Sequence, residues 1–301
     1  MTISTSTSME RQMTISTSTS EQHAATARAF SLAAPLYDIE HAANPVARWT
    51  RARSIAALDD AFRSGDTLLE IGCGTGAEAI HLASRGISIV ATDAAPAMVA
   101  QLEAKLKAGG PTAHLAARIT PVVLPAAELG RLNAGFGRAR FDGAYSSFGP
   151  LNCEPDLGPV VEALAQLVKP GGKVVVSLIN RFCLWETAWY LGARQPGKAF
   201  RRWAGRSEAT VRSAWQDERI TIYYWAPGQV ERAFAPYFRP VRRMALPWLV
   251  PPQYLDHLVS RFPGLFRRIA RLDRRLAGYW PFYTIGDHFL VEFVRACEPG
   301  L

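Results

Sequence analysis

The chain has 301 residues, 49% of them apolar and 20% charged, enough for one large domain or two small ones. Its formal charge of +8 favours anionic partners such as a phosphorylated substrate, an anionic lipid or a nucleic acid. Four widely spaced cysteines (Cys73, Cys153, Cys183, Cys297) form no CxxC pair, which argues against a disulfide framework and a zinc site and fits a reducing, cytoplasmic setting with no bound metal.

The N-terminus carries an internal repeat, MTISTSTS, at residues 1–8 and again at 13–20. It is too polar to bury a core, so residues 1–21 are expected to form a disordered tail, with Met13 offering a second start. The tail has no apolar segment of the secretory kind. No stretch reaches the roughly 18 consecutive apolar residues that a spanning helix needs.

Residues 24–61 read as helical with a break near Pro35. Strand and helix then alternate: TLLEIG, a helix over 75–85, ISIVATD, a helix over 96–108, a weaker strand in ITPVVLP, FDGAYSSF, a helix over 156–168, and KVVVSLI after the Pro170-Gly171-Gly172 turn. Apolar runs without period-2 alternation, separated by helices, predict a parallel, doubly wound sheet with both faces covered. After Asn180 the alternation breaks. RITIYYW and FRPVRRMAL read as strands, 227–234 as a short helix, 251–276 as an interrupted helix, and YTIGDHFLVEFVR as a long final strand. The expected organisation is a tail (1–21), a core (22–180), and a lid-like insertion with the closing strands (181–301).

The most informative stretch is LLEIGCGTG followed by a strand ending in Asp93. Glycines between a strand and a helix let backbone approach a ligand closely. No GK[ST] follows, which excludes a P-loop. The spacing Gly72-x-Gly74-x-Gly76 also departs from the dinucleotide G-x-G-x-x-G. Asp93 stands where a ribose diol needs an acceptor.

In these residues the sequence resembles the class I S-adenosylmethionine-dependent methyltransferases. VATDAAPAM, FDGAYSSFGPLNC and LVKPGGKVVVS are similar to further motifs of that family, and the likeness is close over 68–180. The resemblance implies a Rossmann-like, seven-stranded, mostly parallel sheet with helices on both faces and a lid-like insertion, with S-adenosyl-L-methionine as cofactor and S-adenosyl-L-homocysteine as product. It implies that Glu70, Gly72, Cys73, Gly74 and Gly76 lie against the methionine part. Asp93 would bind the ribose, Ala94 and Met98 would lie near the adenine, and Tyr37 of APLYD would close over the cofactor. The family's acidic contact to the adenine amino group has no clear counterpart in VVLPAAEL, leaving backbone near Ala127 or the side chain of Glu128.

Methyl transfer to an oxygen, nitrogen or carbon is an in-line displacement that rests mainly on positioning. A base is needed only where the nucleophile must lose a proton. The acceptor is expected beside the loop after the fourth strand, lined by Tyr145, Ser146 and Asn152, although Ser, Asn and Gly-Pro also suit a plain bend. SSFGPLN is not the D/N-P-P-Y/F tetrapeptide of enzymes acting on base amines, so nucleic acid is disfavoured. Tyr145 and His288 are the candidate catalytic groups, although His288 reads more readily as a polar edge-strand residue. His81 reads as packing.

The second half is basic and aromatic. Residues 194–212 hold six basic residues against one acid, and 261–276 place Leu265, Ile269, Leu272 and Leu276 at helical spacing opposite Arg267, Arg268, Arg271, Arg274 and Arg275. Such a helix either lies on an anionic membrane or packs its apolar side and solvates its arginines. A small-molecule or lipid-like acceptor is expected, with plain packing of this helix preferred over peripheral association with an anionic membrane. The alternatives are a non-catalytic relative that binds RNA or membrane, or an RNA methyltransferase. The complete glycine and Asp93 set favours the enzyme.

Overall fold

The computed structural model describes residues 6–297 apart from 108, 111, 212, 214 and 215, with side chains from residue 20 onward. Of the disordered tail expected over residues 1–21, residues 1–5 fall outside the described residues, as do Arg212 and Trp215, while 6–21 are helical and correct that expectation.

Two helices open the fold, α1 (Ser6–Ala43) and α2 (Pro45–Ala61). The break lies at Asn44 rather than Pro35. The Asn44 side-chain oxygen accepts the N–H groups of Val46 and Ala47 at 2.9 and 3.0 Å, and Pro45 fills the first helical position, where no N–H is needed. Pro35 stays inside α1 on its exposed side, next to buried Ala33 and Ala34. Packing there outweighs the local preference of proline for a helix end.

The alternation that follows is β1 (Thr67–Ile71), α3 (Ala77–Ser84), β2 (Ser88–Asp93), α4 (Pro96–Leu106), β3 (Ile119–Val123), α5 (Leu132–Phe136), β4 (Phe141–Ser146), α6 (Gly158–Leu167) and β5 (Val168–Ile179). The expected turn before β5 is absorbed as an irregularity in its pairing with β4, with Gly171 at φ +77°. Beyond β5 come α7 (Leu184–Gly192), α8 (Pro196–Ala199), β6 (Arg206–Val211), β7 (Glu218–Tyr223), α9 (Pro227–Phe234), β8 (Phe238–Leu246), α10 (Asp256–Arg261), α11 (Pro263–Leu276) and β9 (His288–Arg295).

Seven strands form one sheet in the order β3-β2-β1-β4-β5-β9-β8. All pairings from β3 to β5 are parallel, and β9 runs antiparallel to both its neighbours. Each face carries its own core. Leu69, Ile71, Ala144, Val176 and Phe293 pack against α6 and α9 on one side. Leu68, Ala91, Tyr145, Val175 and Leu290 pack against α2 and α3 on the other. The missing period-2 pattern follows, because neighbouring residues are buried in opposite faces. The separate hairpin β6–β7 packs Ile220 and Ile222 on Ala29 of α1. Together α1 and this hairpin roof the carboxyl ends of the sheet strands, which is where ligands bind in such folds.

Candidate active site

The main cavity opens at those carboxyl ends and holds about 980 Å³ of empty space, part of it open to solvent. Its floor is Ile71, Gly72 and Gly74 after β1, with Asp93, Ala94 and Met98 at the end of β2 and the start of α4. Leu124, Pro125 and Ala126 form one side, and α1 closes the top with Phe30 and Tyr37.

The three glycines do different things. Each has a positive φ (+73°, +53° and +84°). A Cβ on Gly72 would overlap the Pro150 ring, and one on Gly76 would overlap Leu102 of α4. Both therefore serve close packing. Only Gly74 faces open space, its nearest neighbour being the Tyr37 ring at 3.8 Å from where a Cβ would stand. Gly76 is not on the cavity wall, and neither is Cys73, which is buried in the core and whose thiol burial pushes well above its ordinary range.

Asp93 organises the turn. Its two carboxylate oxygens accept the N–H groups of Gly74 and Ala95, each at 2.8 Å. Each oxygen retains a lone pair for a ligand hydroxyl. Burial raises its pKa, against those two hydrogen bonds. The helix α1 is tied to the same turn: Asp38 accepts from Thr75 at 2.5 Å and from Lys105 at 2.7 Å. This sets Tyr37 over Gly74, and burial pushes the Tyr37 hydroxyl up to about 12, so it stays protonated.

Several expected site residues lie elsewhere. Glu70 sits behind the turn, 1% exposed, with Oε2 lacking a hydrogen-bond partner. Burial and then Glu78 push its carboxyl well above the usual range. Tyr145 is its register partner and is fully buried 6.2 Å from the Phe62 ring, on the face away from the cavity, so it lines no acceptor site. Ser146 donates to the Ile71 carbonyl and is buried between strands. Asn152 latches β5 to β7, donating to the carbonyls of Ile179 and Tyr223 and accepting from the Ile179 N–H. Glu128 points to solvent in an ion pair with Arg131, and neither it nor Ala127 reaches the wall. The loop after β4 instead contributes Ser147, Phe148, Gly149 and Pro150, Phe148 at a strained φ of +63°.

His288 does face a cavity, a second one that shares Phe30, Tyr37, Phe148 and Ile179 with the first. Its Nδ1 lies 2.9 Å from Asp287 Oδ2, while Arg202 donates to Asp287 Oδ1 at 2.8 Å. Burial alone would raise the Asp287 carboxyl, but His288 and Arg202 outweigh it and hold it well below the usual range. Arg202 also donates to Glu186 at 2.9 Å, and Tyr254 donates to Glu186 at 3.0 Å. Arg202, from the basic stretch 194–212, is thus 6% exposed and wired into the pocket. A further pair, His23 with Glu154 at 2.9 Å, lies in the main cavity and joins α1 to the loop after β4. Its partners are too far apart in the chain to be read as a pair.

A family model described as a methyltransferase domain matches residues 68–172. The ubiquinone biosynthesis O-methyltransferase of Serratia proteamaculans is 32% identical over 162 residues, which cover 53% of this chain and 62% of that protein. The chain thus spans less than two thirds of that relative's length. The CcbJ methyltransferase of Streptomyces caelestis superposes with a TM-score of 0.54 at 18% identity, over 89% of this chain and 98% of that one. The geranyl diphosphate C-methyltransferase of Streptomyces coelicolor A3(2), solved with S-adenosyl-L-homocysteine, does so with 0.50 at 14% identity, over 82% and 79%. At these identities the structural likeness speaks for the fold.

The cavity fits S-adenosyl-L-methionine. Gly74 leaves backbone open at the floor, Asp93 has acceptor capacity for a diol, and Met98, Leu124, Pro125 and Ala126 give an apolar slot for a base. Sheet order, glycine turn, strand-end acid and domain match agree: residues 68–172 carry a methyltransferase domain, on the fold of the class I S-adenosylmethionine-dependent methyltransferases.

Proposed function

We propose that the protein transfers the methyl group of S-adenosyl-L-methionine to a hydroxyl oxygen of a small-molecule acceptor. The observation that carries this reading is the pair of adjoining cavities, one built on Gly74 and Asp93, the other on Asp287–His288, with Tyr37 and Phe148 in their common wall. When bound, the cofactor supplies the methyl group and departs as a neutral thioether. Tyr37 and Phe148 exclude water between the two sites and limit the approach to one line. His288 takes the proton from the acceptor hydroxyl, and Asp287, kept ionised by Arg202, orients the imidazole and offsets its new charge. A neutral amine would need no such pair, which with the O-methyltransferase relatives favours oxygen over nitrogen.

The first test is calorimetric titration with S-adenosyl-L-methionine, S-adenosyl-L-homocysteine and NAD. Release of S-adenosyl-L-homocysteine is then followed over a panel of phenols with and without an apolar tail. The reading expects the first two ligands to bind and NAD not to bind. It expects His288→Asn to lower kcat about 100-fold with cofactor affinity unchanged. NAD binding alone, or full turnover by His288→Asn, overturns it.

The acceptor is read as lipid-like, reached by peripheral association with an anionic membrane. Leu265 and Leu272 on α11 are 55% and 49% exposed, with the exposed Arg268 and Arg275 on the same helix. That pattern suits an interfacial helix, and vesicle co-sedimentation is its test.

A further inference from the structure

A third cavity lies at the opposite margin of the sheet and shares no wall residue with the two described above. It is bounded by α2, the edge strand β8, the end of α11 and the segment after it. Five arginines line it: Arg53 from α2, Arg242 and Arg243 from β8, Arg274 and Arg275 from α11. The pairing of β8 with β9 slips between Pro240 and Arg242, just ahead of the two β8 arginines.

Three of the five have carboxylate partners. Arg53 pairs with Asp273 at 2.6 Å, Arg242 with Asp60 at 3.0 Å, and Arg243 with Glu231 at 2.6 Å. Among the described residues no ion pair or hydrogen bond involves the side chains of Arg274 or Arg275, so the walls carry a surplus of two positive charges. Arg53 is also incompletely satisfied: its side chain is 8% exposed and Nη2 has no partner. Leaving a buried guanidinium nitrogen unpaired is costly. Arg274 and Arg242 add like-charge repulsion to it. Such an arrangement is stabilised by a ligand that brings negative charge and several acceptor oxygens.

We propose that this cavity binds a phosphate group. A phosphate ester carries about 1.5 to 2 negative charges at neutral pH, which matches the surplus, and its oxygens suit the planar fork of arginine. A single carboxylate would leave one guanidinium uncompensated. Tyr279 and Tyr283 at the rim offer aromatic faces to whatever carries the phosphate. The carrier is either a free phosphorylated metabolite or the headgroup of an anionic lipid, since both present the same oxyanion.

The test is calorimetric titration of the full chain with pyrophosphate, beside an Arg274→Gln/Arg275→Gln variant and an Arg267→Gln/Arg271→Gln control of equal charge loss elsewhere on α11. Arg274 and Arg275 are exposed, so the variant keeps the Arg53–Asp273 pair and the fold. The proposal expects saturable binding that weakens about tenfold or more in the variant and less than about twofold in the control. Absence of binding by the wild type, or equal weakening in both variants, overturns it. Co-sedimentation with phosphatidylglycerol and phosphatidylcholine vesicles then separates the carriers. Selective binding to the first that pyrophosphate competes away assigns a lipid headgroup. Pyrophosphate binding without vesicle binding assigns a free phosphate.

Discussion

Gly72, Gly74 and Gly76 look equivalent in sequence and are not equivalent in space. Two of them exist so that Pro150 and Leu102 can pack against the turn, and one leaves room for a ligand. Gly76→Ala should therefore destabilise the fold by about 1–3 kcal/mol, because it adds both a strained φ and an overlap with α4. Thermal unfolding checks this, and an unchanged midpoint would show that Leu102 yields freely. The turn and Asp93 were legible because a strand, a glycine run, a helix and a strand-end acid are local patterns. Tyr145, Ser146 and Asn152 were misplaced because sequence shows that a loop follows β4 but not which way each side chain of the strand points. Tyr145 is one residue from the site in sequence and lies on the other face of the sheet. His288 came out in a cavity, but its setting depends on Asp287, Arg202 and Glu186, which come from three separate segments.

Helix α1 is the element that closes the main cavity, and it is held by polar ties at both ends of its cavity-facing stretch. Asp38 binds the glycine turn at one end, and His23 meets Glu154 at the other. The hydrogen bond from Glu154 raises the His23 pKa above its ordinary 6.5, more than burial lowers it. Stability from that pair is complete below the unfolded histidine's pKa and fades as pH climbs through the folded value. His23→Gln should accordingly cost about 1 kcal/mol near pH 5.5 and almost nothing near pH 9, read as the difference in unfolding midpoint between variant and wild type. A cost independent of pH would assign His23 a packing role instead. Elements with strong local signals, β1 to β5 and the helices α3, α4 and α6, could be read directly, whereas the five-residue α5 was not. Strand β6 could not, since RSEATV alternates exposed and half-buried residues and has no apolar run. The helix break was misassigned because proline is a conspicuous breaker, whereas the Asn44 cap acts through one side-chain oxygen.

For the whole molecule, charge and apolar exposure are concentrated rather than spread. Trp280 and Tyr279, 76% and 65% exposed, follow the same helix that exposes Leu265 and Leu272. Aromatic and leucine side chains beside arginines suit the boundary between lipid headgroups and acyl chains. Replacing Leu265 and Leu272 with Gln should cut the fraction bound to anionic vesicles several-fold while leaving pyrophosphate titration unaltered. Equal vesicle binding by variant and wild type would return α11 to an ordinary solvated surface. No helix among the described residues is long and apolar enough to cross a membrane. The amphipathic pattern of α11 was visible in sequence. That Asp273 faces inward from it, gripping Arg53 and accepting the N–H groups of Trp248, Leu249 and Val250, was not, because these partners lie far along the chain.

The strand order has one more effect, on how the protein comes to exist. β9 follows every other strand in the chain, yet it occupies an interior position between β5 and β8. During synthesis the β5 edge and the whole of β8 must wait, unpaired, until the last strand leaves the ribosome. An open edge of this kind invites pairing with the wrong neighbour. The polar and charged residues along β8, Arg239, Arg242 and Arg243, oppose such pairing while the sheet is incomplete. Two of these, Arg242 and Arg243, which line the third cavity in the finished protein, would then also keep nascent chains apart.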